Sequence, residues 1–169
     1  MTELSKAAFG KLPIVFELNL ADNQIGNVSE RAFEGLLQLL TLNLTNNNLR
    51  HIPNGAFRGL VSLRTLDLSH NMIEKLDNKT NSLFEDCLSL ERLNLSHNKI
   101  AYIRSKTLPH DPWIPYRLKE VDFSYNSLAV LNYDLTLGMK KVISLNLSHN
   151  AITDIRRCKY HFTILLMQL

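Results

Sequence analysis

The chain has 169 residues, 45% of them hydrophobic and 21% charged, with a formal net charge of +3, an ordinary composition for a folded protein. The charges are scattered, without five of one sign in a row, which argues against a nucleic-acid groove or a polybasic membrane patch. No 18-residue apolar span is present to enter a membrane, and two cysteines, Cys87 and Cys158, are too few for a disulfide framework or a cysteine-rich zinc site.

The first residues, MTELSKAAFGKLP, lack the apolar core of a secretory signal peptide. From Val15 the chain repeats itself. The units read VFELNLADNQI from Val15, LLTLNLTNNNL from Leu39 and LRTLDLSHNMI from Leu63. They continue as LERLNLSHNKI from Leu90, LKEVDFSYNSL from Leu118 and VISLNLSHNAI from Val142. Each fits L-x-x-L-x-L-x-x-N-x-L, with Val, Ile or Phe replacing Leu at some places. Asn23, Asn47, Asn71, Asn98, Asn126 and Asn150 mark the register, at spacings of 24, 24, 27, 28 and 24 residues. The base period is therefore 24 residues with two small insertions.

The second half of the unit repeats too. Five residues after each Asn stands Val28, Ile52, Leu76, Ile103, Leu131 or Ile155. Ten after it stand Phe33 and Phe57, followed by Leu36 and Leu60. Leu4, Phe9 and Leu12 match this second half, so residues 1–14 read as a partial repeat.

The pattern dictates a fold. In L-x-L two apolar side chains share one face and the middle residue takes the other, as a strand requires. One short strand cannot bury its apolar face alone. Stacking the units, about 4.8 Å apart, builds a parallel sheet over a continuous core. Strands are predicted around Leu18, Leu42, Leu66, Leu93, Val121 and Leu145. The return segments place Phe on the wider, convex side. At the Asn column the chain turns inward, away from water, and a side-chain amide can donate and accept where an ionised Asp cannot donate.

A 24-residue unit with F-x-x-L-x-x-L after the Asn resembles the typical extracellular class of leucine-rich repeats, the class of Toll-type receptor ectodomains and many adhesion proteins. The resemblance spans Leu4 to Ile155. It implies an α/β solenoid: a right-handed superhelix with a parallel concave β-sheet and an irregular or short-helical convex side. DPWIPYRLKEVDFSYN and DLTLGMKKVISLNLSHNAI look most like the chaoptin group of insect cell-adhesion proteins. That likeness implies a cell-surface, glycosylated, adhesive protein with further repeats. It breaks after Arg157, and residues 158–169 read as a diverged or truncated tail. Neither end carries a polar capping repeat, so the isolated chain is expected to be poorly soluble.

Candidate surface residues precede the Asn column: Asp22, Asn46, His70, His97, Tyr125 and His149. They are expected at the edge of the concave face. His70, His97, Tyr125 and His149, with Trp113 and Tyr116 of the Pro-rich insertion PHDPWIPY, form the candidate binding surface. S-H-N is common in this repeat class, and a plain scaffold role is favoured over a metal or pH-sensing role. Trp113 is more readily explained as a cover for apolar core. Five N-x-[ST] sequons fall at Asn27, Asn43, Asn78, Asn94 and Asn146. Asn27 and Asn78, in loop halves, are better glycosylation candidates than the three strand positions. Asn78 lies in a polar insertion, DNKTNS, expected to be an exposed loop. Cys87 replaces Leu36 and Leu60 and is expected to be buried. Cys158 lies three repeats on, too far for a disulfide.

Ser69–His70, Ser96–His97 and Ser148–His149 recur with the scaffold, whereas a catalytic constellation is assembled once. No catalytic residue, cofactor or metal is assigned. The expected partner is protein, with self-association among the options. Nucleic acid and direct membrane insertion are not expected. Adhesion or recognition at the cell surface is the leading function. A receptor-ectodomain fragment is the alternative, and an enzyme is disfavoured.

Overall fold

The computed structural model describes residues 1–10, 12, 14–76, 83–103, 107–108, 114–131 and 141–155. Its strands are β1 (Glu3–Leu4), β2 (Glu17–Asn19), β3 (Asn27–Val28), β4 (Thr41–Asn43), β5 (Thr65–Asp67), β6 (Arg92–Asn94), β7 (Glu120–Asp122), β8 (Val130–Leu131), β9 (Ser144–Asn146) and β10 (Asp154–Ile155). Strands β2, β4, β5, β6, β7 and β9 form one parallel sheet in that order. The register pairs Leu18, Leu42, Leu66, Leu93, Val121 and Leu145 in a single row. These are the predicted strand centres. The return segments are turns rather than helices among the described residues. Two parallel pairs form away from the main sheet, β1 with β3 and β8 with β10, and a parallel bridge links His51 to Lys75 between them. These pairings run along the apolar positions five residues beyond the Asn column. Leu4 pairs with Val28, so the opening residues follow the repeat register.

The core is one continuous column of leucines with Phe33, Phe57, Phe84 and Phe123 fully buried. On the return side Phe9, Phe33, Phe57 and Phe84 stack ring on ring at 6.1, 6.0 and 5.8 Å. Leu108, ten residues after Asn98, takes the equivalent place and is buried. Gly35 and Gly59 turn the chain just after these rings with φ of 99° and 88°, a region closed to side-chain-bearing residues. Leu36 and Leu60 are buried, whereas Leu12 at the same place is 44% exposed.

Cys87 occupies its expected slot at 1% exposure. Burial pushes its thiol up to about 12, with a smaller contribution from the charge of Asp86. It is therefore a small hydrophobe and not a nucleophile. Cys158 and the 158–169 tail lie outside the described residues, as do the insertion at 77–82 and Trp113. No described helix is long and apolar enough to cross a membrane.

Candidate functional site: the concave sheet and its aromatic ridge

The middle residue of each L-x-L faces outward on the sheet, and this column runs Asn19, Asn43, Asp67, Asn94, Asp122, Asn146. Each side chain accepts a hydrogen bond at Oδ1 from the backbone N–H two residues on. The donors are Ala21, Thr45, Ser69, Ser96, Ser124 and Ser148, at 2.7–3.1 Å. These Asx turns end the strands. Pattern reading missed them, treating the Asn of L-N-L-[ST] only as part of a sequon. The alternation of Asn with Asp in this column was the available signal, because a site that only accepts tolerates both.

Two residues past each Asx turn's donor stands the ladder Asn, where donation matters. Asn71 Oδ1 accepts from the Leu49 N–H at 3.0 Å, and its Nδ2 donates to the carbonyls of Leu44, Leu68 and Ser69 at 2.9–3.2 Å. Leu44 and Leu49 belong to the preceding repeat. Asn47, Asn98, Asn126 and Asn150 make the same four bonds one repeat apart. Asn23 donates to Leu20 and Ala21 of its own turn. The double donor–acceptor role expected of the column is thus realised across repeat boundaries.

Between these two columns lies the ridge. Asp22, Asn46, His70, His97, Tyr125 and His149 all have φ between 52° and 57°. A left-handed backbone costs a non-glycine residue roughly 1–2 kcal/mol, least for Asn, Asp and His. Their N–H groups continue the sheet hydrogen bonding, for example His70 N–H to Ser96 O at 3.1 Å and His97 N–H to Ser124 O at 3.0 Å. This conformation throws the side chains into one exposed row. His70, His97, Tyr125 and His149 stack face to face with centroids 4.1 Å apart at every step. Asn46 Nδ2 donates to Asp22 Oδ1 at 2.7 Å and extends the row. Tyr125 remains 46% exposed.

With His70 packed face to face on His97, their in-plane lone pairs run parallel and do not converge on one point. No group of three or more His, Cys, Asp or Glu able to hold a metal occurs among the described residues. Serine and histidine side chains diverge as well. Ser69 Oγ donates to Asp67 Oδ1 at 2.6 Å and Ser148 Oγ to Asn146 Oδ1 at 2.8 Å, while the adjacent rings stack on one another.

The sheet face itself is shallow, with a depression of about 410 Å³ running from Thr65 to Asn146. Arg92 pairs with Glu120 across it at 3.1 Å, and Lys119 with Glu91 at 2.9 Å. The hydrogen bond from Lys119 lowers the Glu91 carboxyl below its ordinary range.

Tyr116 corrects an expectation. It is 8% exposed and presents no binding edge. It stands two residues ahead of Leu118, close to where Leu36, Leu60 and Cys87 stand three ahead of theirs, and the insertion's aromatic is drawn into the wall of the stack. Trp113 and the sequon at Asn78 lie outside the described residues. Asn27 is exposed on β3. Asn94 and Asn146 donate through Nδ2 to Asp67 Oδ2 and Asp122 Oδ2 at 3.1 and 3.0 Å. Asn43 accepts from the Thr45 N–H through its side-chain carbonyl.

Family models described as leucine-rich repeat match residues 17–73 and 38–100, and further such models match 89–113 and 138–155. The chain belongs to the leucine-rich-repeat family. Similar solved repeats include Toll in the Toll–Spatzle complex of Drosophila, with 32% identity and a TM-score of 0.75 over 92% of this chain and 21% of that one. TLR13, solved with ssRNA13, gives 28% and 0.74 over 92% of this chain and 23% of that one. The leucine-rich-repeat domain of APL1B gives 26% and 0.73 over 92% of this chain and 42% of that one. This repeat chain thus spans less than half the length of each. No curated protein matches it significantly.

Proposed function

We propose that this leucine-rich-repeat segment is a protein-recognition surface of an extracellular adhesion protein or receptor, and that it binds through the concave sheet and the ridge beside it. The observation that carries the reading is the ridge. Four aromatic or imidazole rings are carried on a left-handed backbone and stacked in an exposed row outside the hydrophobic core. Exposed rings offer amphipathic contact area of the kind enriched at protein interfaces. A curved parallel sheet also offers a broad surface for a protein partner. Adhesion is favoured by the likeness to the chaoptin group; a receptor role is favoured by the likeness to Toll, solved with Spatzle.

Beads coated with the chain distinguish these roles. Bead clumping above that of beads bearing an unrelated protein supports homophilic adhesion. Attachment to cells without clumping supports a heterophilic partner. Beads that do neither contradict the proposal.

A further inference from the structure

The main sheet is acidic. The six strands of the main sheet carry one cation, Arg92, and four carboxylates, Glu17, Asp67, Glu120 and Asp122, a net of −3. The whole chain is +3, so everything outside these strands sums to +6. The charged residues entering the strands, Arg64, Glu91 and Lys119, together with Asp22 on the ridge, leave the concave side at −3.

Two of these carboxylates are not required by the fold. The Asx turn needs an acceptor alone, and Asn serves at four of its six positions. Asp67 and Asp122 accept the same backbone bond and add a charge. Each is also held in place by the amide of the next strand, Asn94 or Asn146. They flank Asn94 on alternate strands, about 10 Å apart at the usual strand spacing. That is within about one Debye length at 0.1 M salt, so their fields overlap on the floor of the depression. Arg92, the one strand cation, is already paired with Glu120.

We propose that the concave face takes a cationic partner, a protein segment rich in Lys and Arg that lies across Asp67 and Asp122. This rests on the reading of the concave face as the docking surface. The field of the face attracts such a segment.

The test uses fluorescein-labelled octalysine and octaglutamate peptides as probes, with binding to the chain followed by anisotropy at about 50 and about 500 mM NaCl, either side of the salt range in which surface charges are screened. Octalysine binds more tightly than octaglutamate at low salt and is released at high salt. D67N/D122N keeps both turns and weakens octalysine at least fivefold. E30Q/E85Q, which removes two carboxylates elsewhere, changes it less than twofold. Equal losses in the two variants, no loss in D67N/D122N, tighter binding of octaglutamate, or no octalysine binding would each overturn the proposal. T65W/S144W obstructs the face without altering its charge. If it abolishes cell or bead attachment while D67N/D122N preserves it, the docking face stands and the cationic partner falls. If neither variant affects attachment, both fall.

Discussion

Asn71 and Asp67 lie four residues apart and obey opposite rules. Asn71 is 7% exposed and its Nδ2 is shared by three carbonyls. Replacing it in Asn71→Asp would set those carbonyls against a carboxylate, so that they lose their donor and meet a buried charge. The expected destabilisation is about 3–5 kcal/mol. Asp67→Asn keeps the bond to the Ser69 N–H and should stay within about 1 kcal/mol. Urea unfolding of the two variants measures this, as a lowered midpoint at unchanged slope for Asn71→Asp and a near-native midpoint for Asp67→Asn. Equal midpoints would contradict the division of labour between the columns. The ladder column was legible from its invariance across six units, because only an amide serves. The Asx column was not read, because its chemistry depends on a backbone N–H whose position only the fold reveals. The left-handed φ of the ridge was likewise hidden, since His and Tyr do not announce that conformation as Gly would.

At the scale of the element, each repeat is a three-residue strand, an Asn turn and a return segment, filled in the first repeats by one aromatic ring. The strand row, the Phe column and the buried Cys87 slot all followed from apolar spacing. Periodicity also survived the insertion after Leu76, because Phe84 rejoins the column thirteen residues after Asn71 instead of ten and still stacks on Phe57 at 5.8 Å. Tyr116 was misplaced for the opposite reason. Its insertion changes the spacing to the next strand, and a one-residue change decides which side chain turns inward. Phe57 is contacted by rings on both sides, so Phe57→Ala opens a cavity that no single neighbour can fill. The expected loss is about 3–5 kcal/mol, read as a fall in the thermal midpoint. A variant melting like the parent chain would show that the column is not what joins these repeats.

Over the whole molecule, spacing sets the curvature. Rings on the ridge are 4.1 Å apart and those of the Phe column 5.8–6.1 Å, with the strands between at about 4.8 Å. A stack wider on the Phe side bends so that the sheet and ridge line its inner side. The result is an inner face that is acidic, hydrogen-bonded within itself and edged by aromatic rings, on a chain whose remaining charge is positive. The proposed binding runs through that face, and not through the turns behind it. It is tested most directly by comparing cell or bead attachment of T65W/S144W, on the inner face, with R58W/E85W, on the return side, after circular dichroism confirms that both fold. At least tenfold loss for the first and less than twofold for the second is expected. Loss confined to R58W/E85W, or equal loss in both, would contradict it.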